Sequence, residues 1–220
     1  VGVANVVGAA SAASWVASAA TGLFGSRALL GEYPLTHEGA ENGCELANVS
    51  YDSGGCYLNG EYGDYDSDTA YRLATPTLVS LVKQDFGCEF EFLPMAGNDK
   101  GQWMMVGSAS HRWVSILLRD DRLQVMKNNQ DDTVVDVPLT VANDVWHSLA
   151  IAFTPGRVHM QLDGSVHDFA VENEPVLRVD NGDPVRVYEN YFTWTNRSNG
   201  GTFLGCVRNI RVYGPSTPSS

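Results

Sequence analysis

The chain has 220 residues, with 26 Asp and Glu against 14 Lys and Arg and a formal net charge of -12. That length holds one generous core, or one core with an appendage, and is too short for two comfortable ones. The negative balance repels phosphate backbones and anionic headgroups, which argues against nucleic acid as a partner, and its plain role is solubility.

Val1 to Phe24 contains no Asp, Glu, Lys, Arg or His and is rich in Val, Ala, Gly and Ser. At helical spacing Ser11, Ser14, Ser18 and Thr21 collect on one stripe and leave Ala, Val and Trp15 on the others, which predicts an apolar N-terminal helix within a segment spanning residues 1–29. Gly2, Gly8 and Gly22 each weaken it by roughly 1 kcal/mol relative to Ala, and alanine contributes little to membrane insertion. Small side chains instead permit close packing against protein. There is no basic stretch ahead of the apolar run, so the segment reads as retained rather than as a signal peptide. Docking on its own domain competes with docking on neighbouring copies. The reading adopted is self-association through Val3, Val7, Trp15, Val16, Leu23 and Phe24.

From residue 30 to 214 short apolar runs alternate with Gly, Asp, Asn and Pro, and no amphipathic helix of useful length occurs. Cys44, Cys56, Cys88 and Cys206 form no CxxC pair and have no histidine at metal-ligand spacing, so disulfides are favoured over zinc or redox chemistry. Two glycosylation sequons, at Asn48 and Asn196, and a Pro/Ser/Thr tail over 215–220 fit an oxidising, extracellular or cell-surface location. A three-residue sequon also arises by chance as plain surface asparagine.

Asp64, Asp66 and Asp68 alternate as at the front of a calcium loop, with Glu61 as a further oxygen donor, yet no glycine or closing glutamate follows at EF-hand spacing. The competing account is a loop of solvated acids. No cofactor is expected from the rest of the chain; calcium is the one these acids would take, and Asp131, Asp132, Asp180 and Asp183 are further candidates for a site built from separate loops. Glu89 and Glu91 share one face of the alternating stretch Glu89-Phe90-Glu91-Phe92, whose phenylalanines would point inward.

Trp113 to Leu118 and Leu123 to Met126 read as two strands around the turn Asp120-Asp121. Val134 to Val141 supplies a further run. Leu149, Ile151 and Phe153 share a face, Pro155-Gly156 turns the chain, and Val158, Met160 and Leu162 share a face on the return to Asp163-Gly164, which predicts a hairpin. Runs at Val176 to Val179, Val185 to Tyr188 and Val207 to Val212 bring the total to that of a two-sheet antiparallel sandwich, an all-β domain over 30–214. Between them Tyr188, Asn190, Tyr191 and Trp194 combine aromatic faces with amides, the chemistry a sugar ring requires, and form the candidate glycan surface. The alternative is that Phe192 and Trp194 alternate inward as core.

Trp146-His147-Ser148-Leu149-Ala150-Ile151-Ala152-Phe153, followed by Arg157 to Gly164, resembles the laminin-G signature of Trp-His, alternating apolar residues and a strand ending in Asp-Gly. Phe203-Leu204-Gly205-Cys206 and the run to Tyr213 resemble the closing strand of that family, and Glu32-Tyr33-Pro34-Leu35 its opening strand. The resemblance implies a concanavalin-like jelly roll whose first and last strands are neighbours, used for binding glycans or proteins, in some members with calcium. In many members the closing cysteine pairs a few dozen residues upstream, but nothing lies between Cys88 and Cys206 here. The expectation is therefore a Cys88–Cys206 bridge across one sheet and a local Cys44–Cys56 bridge, the first worth roughly 4 to 5 kcal/mol in the chain-entropy account.

Glycosidases of this fold often carry Glu-x-Asp-x-x-Glu along one strand; Glu89 and Glu91 lack the central Asp and the second Glu, so no catalytic residue is expected. None of the five histidines is spaced as a catalytic base, and no phosphate loop is present. The N-terminal stretch is loosely similar to the helix of pilin-type filament subunits, with Asn5 where bacterial members usually carry glutamate. The expected function is a non-enzymatic subunit of an extracellular filament, appendage or shell that binds other copies of itself through its N-terminal helix. A glycan-binding or adhesion module on cell surfaces is the alternative, and a glycoside hydrolase the more distant one.

Overall fold

A computed structural model describes residues 23–25, 27–47, 49–59, 72–74, 86–96, 102–106, 114–119, 122–127, 132–138, 140–154, 156–170, 192–195 and 203–214. Those residues form two antiparallel sheets. The expected N-terminal helix lies outside them except for Leu23 and Phe24, as do the runs at 176–179 and 185–188.

One sheet has eight strands: β1 (Leu29–Tyr33), β3 (Ser50–Asp52), β4 (Gly55–Asn59), β6 (Phe86–Pro94), β11 (His147–Thr154), β12 (Arg157–Leu162), β13 (Ser165–Ala170) and β15 (Leu204–Tyr213). The other has seven: β2 (Glu45–Ala47), β5 (Arg72–Ala74), β7 (Gln102–Val106), β8 (Val114–Arg119), β9 (Arg122–Lys127), β10 (Asp132–Pro138) and β14 (Phe192–Thr195). The order in the first is β13-β12-β11-β6-β15-β4-β3, with β1 also on β15, and in the second β10-β9-β8-β7-β14-β5-β2.

The first and last strands are neighbours, as the resemblance implied: Glu32 faces Arg211 and Tyr33 faces Ile210. β15 is long enough to serve two partners end to end, β4 along 204–207 and β1 along 210–213. A bulge between Arg208 and Arg211 separates the two stretches, with Asn209 at φ 53 and its N–H donating to the Pro34 carbonyl. At Gly205, φ is 150 and a Cβ would stand 2.0 Å from the Leu93 carbonyl oxygen, so only glycine brings β15 this close to β6.

Alternation explains the core. The expected hairpin forms with Leu149 opposite Leu162, Ile151 opposite Met160 and Phe153 opposite Val158. Cys88, Phe90 and Phe92 of β6 face the same interior, and Leu123 and Val137 join them from the other sheet. The opening strand ends at Tyr33, two residues earlier than expected; Leu35 is fully buried beyond it, at φ 52. β2 to β5, β7 and β13 are strands the sequence reading did not identify. The β3–β4 hairpin closes through Ser53 and Gly54, both at positive φ, the backbone a two-residue turn requires.

The expected Cys88–Cys206 bridge does not fit the register. All four cysteines are thiols. Cys88 lies opposite Val212 on β15 and Ile151 on β11, whereas Cys206 lies opposite Leu93 and Tyr57. Five residues of extended strand, about 17 Å, separate the two positions along β6, more than twice the reach of a disulfide. The sequence placed both residues in paired strands but could not supply the register.

Candidate functional site

The outer face of the eight-stranded sheet carries the acids singled out from sequence. Glu89 and Glu91 do point away from the phenylalanines, yet Glu89 is only 8% exposed and Glu91 is only partly exposed. Register places Arg211 opposite Glu89 and Arg208 opposite Glu91. Arg211 Nη1 donates to Glu89 Oε1 at 3.0 Å, and its Nε donates to Glu32 Oε1 at 2.6 Å, so one guanidinium joins carboxylates of β1 and β6. Tyr213 Oη donates to the same Glu89 oxygen at 2.8 Å. Arg208 Nε donates to Glu91 Oε2 at 2.5 Å, and Asn209 Nδ2 at 3.2 Å.

Burial alone would lower the pKa of Arg211, but its hydrogen bonds to Glu32 and Glu89 and their negative charge carry it above the ordinary arginine value. Burial first, and then the bond to Glu89, push the Tyr213 phenol well above 10. Glycoside hydrolysis requires one carboxyl free to protonate a leaving oxygen and another free to attack or to activate water. Here both take guanidinium donors. The arrangement is a clamp across three strands, which gives these acids a specific structural role.

Beside the clamp, Arg208 lies over the Trp146 ring, 3.8 Å from its centroid. The far edge of that indole rests on Gly55, where a Cβ would stand 2.7 Å from Cη2. His147, the second residue of the signature, is buried against Phe92, with ring centroids 5.5 Å apart. Its Nδ1 meets Asp163 Oδ2 at 2.6 Å and its Nε2 meets the Ala142 carbonyl at 2.9 Å, while Asp163 Oδ1 accepts the Ser148 N–H. Both ring nitrogens are taken up in holding the loop before β11 and the turn after β12.

The thiols are equally poor nucleophiles. Burial, followed by the charge of the neighbouring thiol and of Glu41, pushes Cys44 and Cys56 up to about 12. Burial with the nearby charge of Asp52 pushes Cys206 to about 11, and its Sγ donates to the Asp52 carbonyl.

Asn48, Asn196, Asp64, Asp66, Asp68, Tyr188, Asn190 and Tyr191 lie outside the described residues, as do Val3, Val7, Trp15 and Val16. Among the described residues no group of three or more His, Cys, Asp and Glu converges as a metal site. Trp194 falls inside β14, paired with Leu73 of β5, and Leu73 pairs with Leu46 of β2, which packs on the core.

Leu23 and Phe24 pack on the chain's own sheet, in a small cluster with Ala150, Ala152 and Tyr213 on the outer face. The sequence reading missed Arg208, Arg211 and Tyr213. Arg208 and Arg211 complement Glu91 and Glu89 in charge, and that complementarity was the available signal.

Residues 98–214 match the family profile described as the Laminin G domain. No match was found among curated protein sequences. Among solved structures, domain 4 of AbnA, an extracellular GH43 arabinanase from Geobacillus stearothermophilus, in complex with arabinotriose, is similar with a TM-score of 0.58 at 16% identity, over 88% of this chain and 96% of that one. The binding domain of Botulinum Neurotoxin DC in complex with SialylT gives 0.56 at 14% identity, over 89% and 49%. A Bacillus subtilis protein of unknown function with a galectin-like fold gives 0.51 at 11% identity, over 84% and 96%. At these identities the likeness concerns the fold.

Proposed function

Because this chain belongs to the laminin G domain family, we propose that it works as a non-catalytic, lectin-like binding module outside the cell, with glycans as the ligand class. The observation that carries the non-catalytic part is the commitment of Glu89 to Arg211 and Tyr213 and of Glu91 to Arg208 and Asn209. Support for the ligand class comes from two solved structures of similar fold described with a bound sugar, arabinotriose in one and SialylT in the other. Fold alone does not dictate function. The test is a glycan array that includes arabinan and sialylated oligosaccharides, probed with the full chain with and without calcium. Selective retention of one sugar class supports the reading, and calcium dependence would point to a cation site among the candidate acids. A uniformly blank array in both conditions refutes it.

A second reading has its own observation, the uncharged stretch from Val1 to Phe24. On this reading the chain is a subunit of an extracellular assembly, joined to other copies through its N-terminal residues, with the sandwich displayed outside. Light scattering on the full chain and on one lacking residues 1–22 separates the two: large particles that vanish on truncation favour assembly, and equal sizes exclude it.

A further inference from the structure

The outer face of the eight-stranded sheet has a bare strip. Ala150 and Ala152 of β11 stand beside Glu89 and Gly87 of β6 in register, and Tyr213 of β15 lies opposite Gly87 on its other side. Small residues here leave the sheet backbone accessible to whatever lies on it. Phe24 fills the place. Its ring stacks on Tyr213 with centroids 4.0 Å apart at 12°, and it stands over Gly87 so closely that a Cβ there would be 2.5 Å from Phe24 Cε1. Phe24 is 5% exposed, and Ala152, on an outward-facing position, is fully covered.

The chain leaves this seat through a fixed turn. The Arg27 N–H donates to the Phe24 carbonyl at 3.0 Å, Arg27 Nη1 donates to the Gly214 carbonyl at 3.0 Å, and the Gly214 N–H donates to the Ala28 carbonyl at 2.9 Å before β1 begins. Phe24 is thus tethered to the closing strand by its ring and by the backbone that follows it.

We propose that this strip is a latch site for the chain's own N-terminal peptide, with Phe24 as the anchor. The latch fixes where the uncharged stretch joins the sandwich: on the outer face of the eight-stranded sheet, beside Ala150 and Ala152. Whatever grips that peptide meets this face, which leaves the seven-stranded sheet and the loops for other ligands. Occupancy is by the same chain, since the short, hydrogen-bonded connection to β1 keeps the effective concentration of Phe24 at its seat far above that of any second copy. The inference is independent of glycan binding.

Trypsin cleavage of the full chain after Arg27 reports the latch, because cutting tracks the population of the open form. Two variants approach the seat from opposite sides. Phe24→Ala removes the anchor; Gly87→Ala keeps the anchor and fills its place with one methyl group. Both are expected to speed cleavage after Arg27 by about tenfold or more, with the fragments arising from residues 30–214 unchanged. If Phe24→Ala loosens the whole sandwich, so that every site is cut, Gly87→Ala decides alone. A Gly87→Ala rate within about twofold of the parent chain overturns the latch. Protection of Arg27 in the parent chain that rises with protein concentration overturns the same-chain assignment, since the seat would then be filled by a second copy.

Discussion

Tyr213 serves Phe24 with its ring and Glu89 with its hydroxyl: the stacked centroids are 4.0 Å apart, and Oη donates to Glu89 Oε1 at 2.8 Å. One side chain of the closing strand therefore joins the end of the uncharged N-terminal stretch to the ion-paired clamp. Tyr213→Phe keeps the stack and loses only the hydroxyl, leaving a buried carboxylate oxygen with one donor fewer. The expected cost is about 1 kcal/mol in urea unfolding, with the trypsin sensitivity at Arg27 unchanged. Cleavage that rises in this variant would show that the hydroxyl, not the ring, holds Phe24.

The clamp answers to charge. Arg211→Met removes the donor shared by Glu32 and Glu89 and leaves Glu89 buried with Tyr213 alone, an expected loss of roughly 3 kcal/mol. The same change on the exposed ladder between Arg157 and Asp168 is expected to cost under about 1 kcal/mol. Equal losses at the two places would contradict the burial argument.

Asp163 ties the Trp-His signature to the following turn, and it does so from φ 47, a backbone region that asparagine also tolerates. Asp163→Asn therefore tests the hydrogen bonds without straining the turn. It should cost about 1 to 3 kcal/mol, because His147 and the Ser148 N–H both lose a carboxylate partner. A thermal midpoint equal to that of the parent chain would remove His147 from the list of structural anchors.

Alkaline pH should destabilise the fold. In the native state burial holds the Tyr33 phenol up at about 12 and raises Tyr213 further, whereas both ionise near 10 once unfolded. The unfolded chain gives up these protons first, so the stability is whole below pH 10 and drains away as pH climbs through the native values. Cys88, fully buried and raised by burial and then by the charge of Glu89, adds the same sign from pH 9 upward. Urea midpoints that hold flat between pH 9 and 12 would rule this linkage out.

Cysteine connectivity is open to direct mapping. After burial, the charge of Cys56 is what most raises the Cys44 thiol, which marks the two as near neighbours, so under a disulfide oxidant this pair is expected to lose two protons and two electrons and close, while Cys88 stays a thiol. Peptide mapping without reductant that recovered Cys88 bonded to Cys206 would contradict the register of β6 and β15.

The fold was legible in the sequence wherever a strand is wet on one face and dry on the other. The β11–β12 hairpin, the alternation of β6 and the closing run to Tyr213 all carry the period of two that a half-buried strand imposes, and their pairing follows from short connections or from the family motif. Short strands such as β2, β3 and β5 have too few residues to show any period, so they remained invisible. What the sequence could not contain was register. Whether Glu89 meets water or Arg211, whether Cys88 meets Cys206 or Val212, and whether Phe24 finds another chain or its own Tyr213 all depend on which residues of distant strands come to lie side by side. A pattern along one strand records its own two faces and nothing of its neighbour's offset, so composition and alternation determined the sandwich and tertiary pairing alone decided the chemistry of its outer face.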